Sequence, residues 1–155
     1  MFAFKQNKNR IDKQQQVWRV VTRLVDGKTP NRVPEVLNNR EFERYSRSLP
    51  VVCFPLVDNK INGADVFNGV TRDFSDGGTS IIADLKHTES SNLEGQQVIC
   101  GFWDDGPILL DGRVRRQQEF GGDLTEIGVE FFNVVNSASL LESLKPFLEK
   151  LHVNK

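Results

Sequence analysis

Two short clusters of residues stand out for the chemistry they could do together. Arg40-Glu41-Phe42-Glu43-Arg44 has the form RxxxR, and Asp73 to Gly78 reads DFSDGG, of the form DxSxxG. An arginine guanidinium is a permanent planar cation. Its donor fork fits phosphate oxygens or O6 and N7 of guanine, and its flat face stacks on a purine ring. Lysine would keep the charge but lose both the fork and the stack. Asp73 can accept hydrogen bonds from the N1 and N2 donors of a guanine edge, which adenine does not offer, and Ser75 is a short donor and acceptor for the opposite edge or a phosphate. Gly78 lacks a side chain, which lets the turn bend and a ligand approach the backbone. Residues of these types suit an anionic guanine nucleotide.

Taken singly, each motif has a plainer reading. Two arginines four apart in a charged segment are ordinarily a solvated surface pair. Asp-x-Ser-x-Gly-Gly between strands is ordinarily a tight turn, with glycine supplying positive φ and the Asp and Ser side chains bonding nearby amides. The elements around the motifs therefore decide how they are read.

Arg10 to Val25 contains no Gly or Pro and repeats Ile11, Gln14, Val17/Trp18, Val21 and Leu24/Val25 at three- and four-residue steps, which predicts an amphipathic helix. Asp26-Gly27 ends it, and the two prolines of KTPNRVP (28–34) make an extended linker. A polar, charge-rich stretch from Asn38 to Arg44 leads to Leu49, where the pattern becomes strand-like. Six candidate strands follow: LPVVCFPLV, ADVFNGVTRDFS, GTSIIADL, QVICGFW, PILLDGRVRRQQ and LTEIGVEFFNVV. Gly, Asp and Asn turns separate them, the signature of an antiparallel sheet, and closure into a small barrel would remove its exposed edges. Ser137 to Leu151 returns to helical spacing with Ser137 or Ser139 as cap, and Pro146 within it predicts a kink or a break. RxxxR thus directly precedes the first strand, and DxSxxG lies where the second strand passes into the third.

With this order of motifs and strands, completed by GRVRR and EIGVEFFNV, the sequence resembles the PilZ domain family over about residues 38 to 135. The resemblance implies a mostly β fold: a six-stranded antiparallel split barrel of the PilZ type, with an N-terminal helix and arm and a C-terminal helix. The domain reading is an amphipathic helix and linker at 1–37, the barrel at 38–135 and the terminal helix at 136–155. By resemblance the ligand is cyclic di-GMP, whose two phosphates and two guanines suit the residue types above. The RxxxR arm would wrap over ligand on the barrel face that holds DxSxxG, which assigns ligand binding to Arg40, Arg44, Asp73, Ser75 and Gly78.

The chain departs from the family pattern in places. Many relatives carry a further arginine immediately before RxxxR where this chain has Asn39, a position that bears on whether one ligand or an intercalated pair is held. Glu41 and Glu43 put two negative charges between the arginines and weaken phosphate binding unless they point outward. Arg47, three residues after Arg44, is an auxiliary candidate for phosphate, and Asn39 and Gly77 are further auxiliary candidates for the ligand. On a later strand, alternation sends Arg113 and Arg115 to one face and Arg116 to the other. A solvated exterior is their plain reading, with Arg113 and Arg115 as candidates to extend the ligand face.

The remaining features exclude more than they assign. A net charge of -1 leaves no broad basic surface for duplex nucleic acid. The apolar runs are too short to span a bilayer, and a sustained apolar signal region is missing from the start, so a cytoplasmic protein is expected. Cys53 and Cys100 sit in apolar strand-like runs and read as small buried side chains. With only His87 and His152 besides, no metal motif is visible, and neither a metal nor a cofactor is expected. Trp18 and Trp103 read as buried, and His87 as a surface residue of a polar loop.

The expected function is a non-enzymatic receptor. Cyclic di-GMP draws the arm onto the barrel, and the altered surface engages an unidentified protein effector in motility, exopolysaccharide or biofilm-type output. The alternative is a nucleotide-independent interaction module of PilZ-like fold, as in pilus assembly, although such modules typically lack one or both motifs. Hydrolysis of the dinucleotide would need carboxylate and His clusters that the chain lacks. The N-terminal helix can pack on its own barrel, form a homodimer or dock elsewhere, and its periodicity does not choose among these.

Overall fold

Period-two alternation along the strands sorts their apolar side chains onto two surfaces, and the fold follows from how each is covered. The protein is described by a computed structural model covering residues 2–26, 31–32, 45–75, 77–85 and 92–153. Its elements are α1 (Phe2–Asp26), β1 (Asn31–Arg32), β2 (Tyr45–Ser46), β3 (Pro50–Val57), β4 (Lys60–Ile61), a single 3₁₀ turn at Gly63–Asp65, β5 (Phe67–Ser75), β6 (Gly78–Asp84), β7 (Gln97–Trp103), β8 (Pro107–Gly121), β9 (Leu124–Val134) and α2 (Ala138–Val153). The sheet order is β1-β2-β5-β6-β9-β8-β7-β3-β4, and an added β5–β3 pairing closes β3, β5, β6, β9, β8 and β7 into a six-stranded antiparallel barrel.

Inside the barrel, Val51 and Cys53 of β3, Phe67 and Phe74 of β5, Val98, Cys100 and Phe102 of β7, and Ile127, Val129 and Phe131 of β9 form one buried cluster. Cys53 and Cys100 lie directly opposite one another across β3 and β7, both as free thiols. The hydrogen bond with Cys100, together with burial, pushes the Cys53 thiol well above its ordinary value, so it is a neutral filler of the core. Helix α1 contributes Val17, Val21, Leu24 and Val25 to the same cluster and so covers one side of the interior. Arg47 Nε donates to the Leu24 carbonyl at 3.3 Å and ties the end of the helix to the chain entering the barrel. The helix begins well before Arg10, where the apolar periodicity starts.

Helix α2 covers the outer face of β3, β7 and β8. Its Leu144, Leu148 and Leu151 pack on Val52, Phe54, Ile99 and Leu109, with Trp103 partly buried beside them. Gly101 provides the seat, because a Cβ there would run into the Leu148 side chain. Ser137 Oγ accepts from the Leu140 amide at 3.3 Å and caps the helix. One helix continues through Pro146, where sequence reasoning expects a kink or a break, and the break does not occur. A helix-interior proline costs about 3 kcal/mol, whereas burying each leucine contributes about 1.5–3 kcal/mol. Three leucines fixed on the barrel therefore outweigh the missing hydrogen bond. Among the described residues, no helix is long and apolar enough to cross a membrane.

Candidate functional site

Between α1 and strands β5, β6, β9 and β8 lies a cavity of about 710 Å³, within the size range usual for small-molecule sites. The second motif forms one end of it. Strand β5 carries an irregularity between Thr71 and Asp73, where pairing with β6 skips a residue. This resets the alternation, so that Phe74 enters the core while Asp73 and Ser75 line the cavity, both half-buried. Thr79 Oγ donates to the Asp73 carbonyl at 2.7 Å and holds this segment. The Phe131 amide donates to the Gly77 carbonyl at 2.7 Å and pins the motif turn to β9.

Gly77 and Gly78 both line the cavity, but neither has the positive φ that a tight glycine turn would use. Gly78 is required for a different reason. A Cβ there would overlap the Val129 carbonyl oxygen, so the close approach of β6 to β9 depends on its bare backbone.

A second irregularity corrects the strand-face reading of the later arginines. Between Val114 and Arg116 the β8–β9 register shifts, and Arg115 and Arg116 both reach the cavity instead of dividing between faces. Arg115 Nε pairs with Glu130 at 2.9 Å, and its guanidinium lies 5.5 Å from the centre of the Phe132 ring. Arg116 lies across Gly128, where a Cβ would meet its Nε at 2.7 Å. Arg116, Gly128 and Glu130 are cavity residues that sequence reasoning missed. The glycine opposite an arginine was a weak local signal, but the bulge that exposes it is a property of strand pairing.

The other expected residues are placed elsewhere. Arg113 donates to the Gly95 carbonyl at 2.7 Å and does not line the cavity. Arg47 also lies off it, with its Nε on the Leu24 carbonyl. Trp18, expected to be buried, is 41% exposed and lines the cavity from α1 together with Gln14 and Gln15. Asn39, Arg40, Arg44 and His87 lie outside the described residues. The backbone that follows Arg44 is described, however: β2 pairs with β5, Tyr45 opposite Phe74 and Ser46 opposite Asp73.

Beside the motif lies a carboxylate that no local pattern revealed. Glu126 is 3% exposed and accepts from Arg72 Nη1 at 2.8 Å, Ser80 Oγ at 3.0 Å and Gln118 Nε2 at 2.6 Å. Burial opposes its ionisation, but the three hydrogen bonds and the Arg72 charge together lower its pKa below the ordinary value. Arg72 in turn is raised above its ordinary value, chiefly by the bond to Glu126. This network anchors the strand position next to Asp73. Among the described residues, no group of three His, Cys, Asp or Glu side chains could hold a metal ion.

Among solved structures, the chain is similar to the Bacillus subtilis inhibitor of motility MotI/DgrA, at 15% identity with a TM-score of 0.44 over 77% of this chain and 54% of that one. It therefore spans little more than half of that protein. It is also similar to the PilZ domain with c-di-GMP of YcgR from Escherichia coli, at 22% identity with a TM-score of 0.36 over 76% of this chain and 94% of that one. Comparison with curated proteins gives no match. The family model of the PilZ domain matches residues 38–149, a span that takes in both motifs and the six barrel strands, and the chain belongs to the PilZ domain family.

Proposed function

We propose that this protein is a cytoplasmic receptor for cyclic di-GMP, with a site in two parts: Arg40 and Arg44 on the arm, and Asp73, Ser75 and Gly78 on the barrel. The observation that carries this reading is the β2–β5 pairing, which runs the chain immediately after Arg44 alongside Asp73 and Phe74. Charge supports it. On the cavity wall Arg115 and Arg116 are matched by Asp73 and Glu130, so the barrel face alone offers a ligand with two phosphates no net attraction. The arm arginines supply the missing charge, and their forks can take phosphate while Asp73 reads a guanine edge. Settling of the arm over the ligand alters the surface around β1, β2 and α1, which a protein effector would then recognise. On this reading the protein is an adaptor and not a catalyst.

Titration calorimetry of the whole chain with cyclic di-GMP tests the proposal. Saturable heat with a Kd at or below tens of micromolar, about −6 kcal/mol or stronger, is expected. No heat at these concentrations would refute it and favour the nucleotide-independent interaction module.

A further inference from the structure

Helix α1 is anchored by Val17, Val21, Leu24 and Val25, each 1–3% exposed. Trp18 is the largest apolar side chain among the helix's described residues, yet it is not part of that buried cluster. It is 41% exposed and stands on the cavity wall with Gln14 and Gln15, one turn earlier on the same face. The rest of the lining mixes polar side chains, Asp73, Ser75 and Arg116 among them, with Val129 and Phe131. An indole placed for packing meets apolar side chains, since an aromatic residue stabilises a fold chiefly through buried area. A half-exposed indole on a cavity of mixed apolar and polar lining suits a flat molecule whose faces are aromatic and whose edges bear donors and acceptors. A guanine base is such a molecule: its face fits the indole and its edge fits Asp73 and Ser75.

Resting on the cyclic di-GMP reading, we infer that Trp18 is a further ligand-binding residue, whose indole stacks on a guanine held at its edge by Asp73 and makes α1 a wall of the site. The helix that anchors itself in the barrel core is thereby also a sensor of occupancy. Stacking does not distinguish one base from another, so Trp18 adds affinity while Asp73 sets the choice of guanine.

The chain has two tryptophans, and Trp103 packs against α2 away from the cavity. Trp103→Phe therefore leaves Trp18 as the only indole. Adding cyclic di-GMP to this variant should quench the Trp18 emission with the same midpoint as the calorimetric heat of the unaltered chain. Trp18→Ala should weaken binding about tenfold, consistent with the loss of one base–aromatic stack, and Trp18→Phe should restore most of it, with no change in the thermal midpoint for either. If the unaltered chain gives saturable heat while Trp18 emission stays constant and Trp18→Ala binds equally well, the inference fails and the receptor reading stands. If the unaltered chain gives no heat, both fall.

Discussion

The barrel carries a helix on each of two surfaces and uses them differently. Under α2 the contact is apolar: Leu144, Leu148 and Leu151 meet apolar side chains, and Gly101 clears room for Leu148. Under α1 one face of the helix is packed, while Gln14, Gln15 and Trp18 line a cavity together with Asp73, Ser75, Arg116, Val129 and Phe131. A closed apolar contact contributes stability and little else. An open contact leaves part of the helix and of the barrel wall uncovered, and such concave space is where a small molecule can bind.

This contrast predicts separable damage. The largest effect on stability should come from the closed contact. Leu148 is fully buried, and Leu148→Ala should lower the unfolding free energy by about 2–5 kcal/mol in urea titrations, with cyclic di-GMP affinity of the folded fraction unchanged. The open contact should behave in the opposite way. Asp73→Asn replaces an acceptor-only group with one that presents donors to the guanine edge, and it should weaken cyclic di-GMP by about 1–3 kcal/mol while urea stability stays close to that of the parent. Loss of both properties in either variant would mean that the two surfaces are not independent.

A smaller effect belongs to Glu126, which lies beside the open contact without lining it. Its folded pKa is lowered below its ordinary value of 4.5, so the unfolded chain takes up the proton first as pH falls. The carboxylate therefore contributes stability that is present above about pH 4.5 and lost as pH drops through the lower folded value. Urea stability measured from pH 7 to pH 3 should show this loss in the parent. In Glu126→Gln the curve should be flatter and start lower, because Arg72 is left without its anion.

Much of this contrast was legible in the sequence, and the rest was not for identifiable reasons. Alternation and Gly/Asp turns located β3 and β5 through β9 to within a few residues, because an antiparallel strand with one face in the core must alternate. Of the kink or break expected at Pro146, the break did not appear, since packing of α2 on the barrel outweighs local preference. Arg115 and Arg116 were assigned to opposite faces because alternation assumes an unbroken ladder, and the register shift between Val114 and Arg116 exists only once β8 has paired with β9. Trp18 was expected to be buried because it falls on the apolar stripe of the N-terminal helix; periodicity gives the direction of a side chain and not what stands opposite it. Asp73 and Ser75 were recognised as motif residues, but their delivery to one wall depends on the β5 irregularity.

The two-part site is tested most directly by comparing two arginines in one calorimetric experiment with cyclic di-GMP. Arg44 directly precedes the strand that pairs beside Asp73, whereas Arg113 is already engaged by the Gly95 carbonyl off the cavity. Arg44→Ala should weaken binding at least tenfold, and Arg113→Ala should leave it within about twofold, about 0.4 kcal/mol. Equal losses from the two substitutions would contradict the placement of the site.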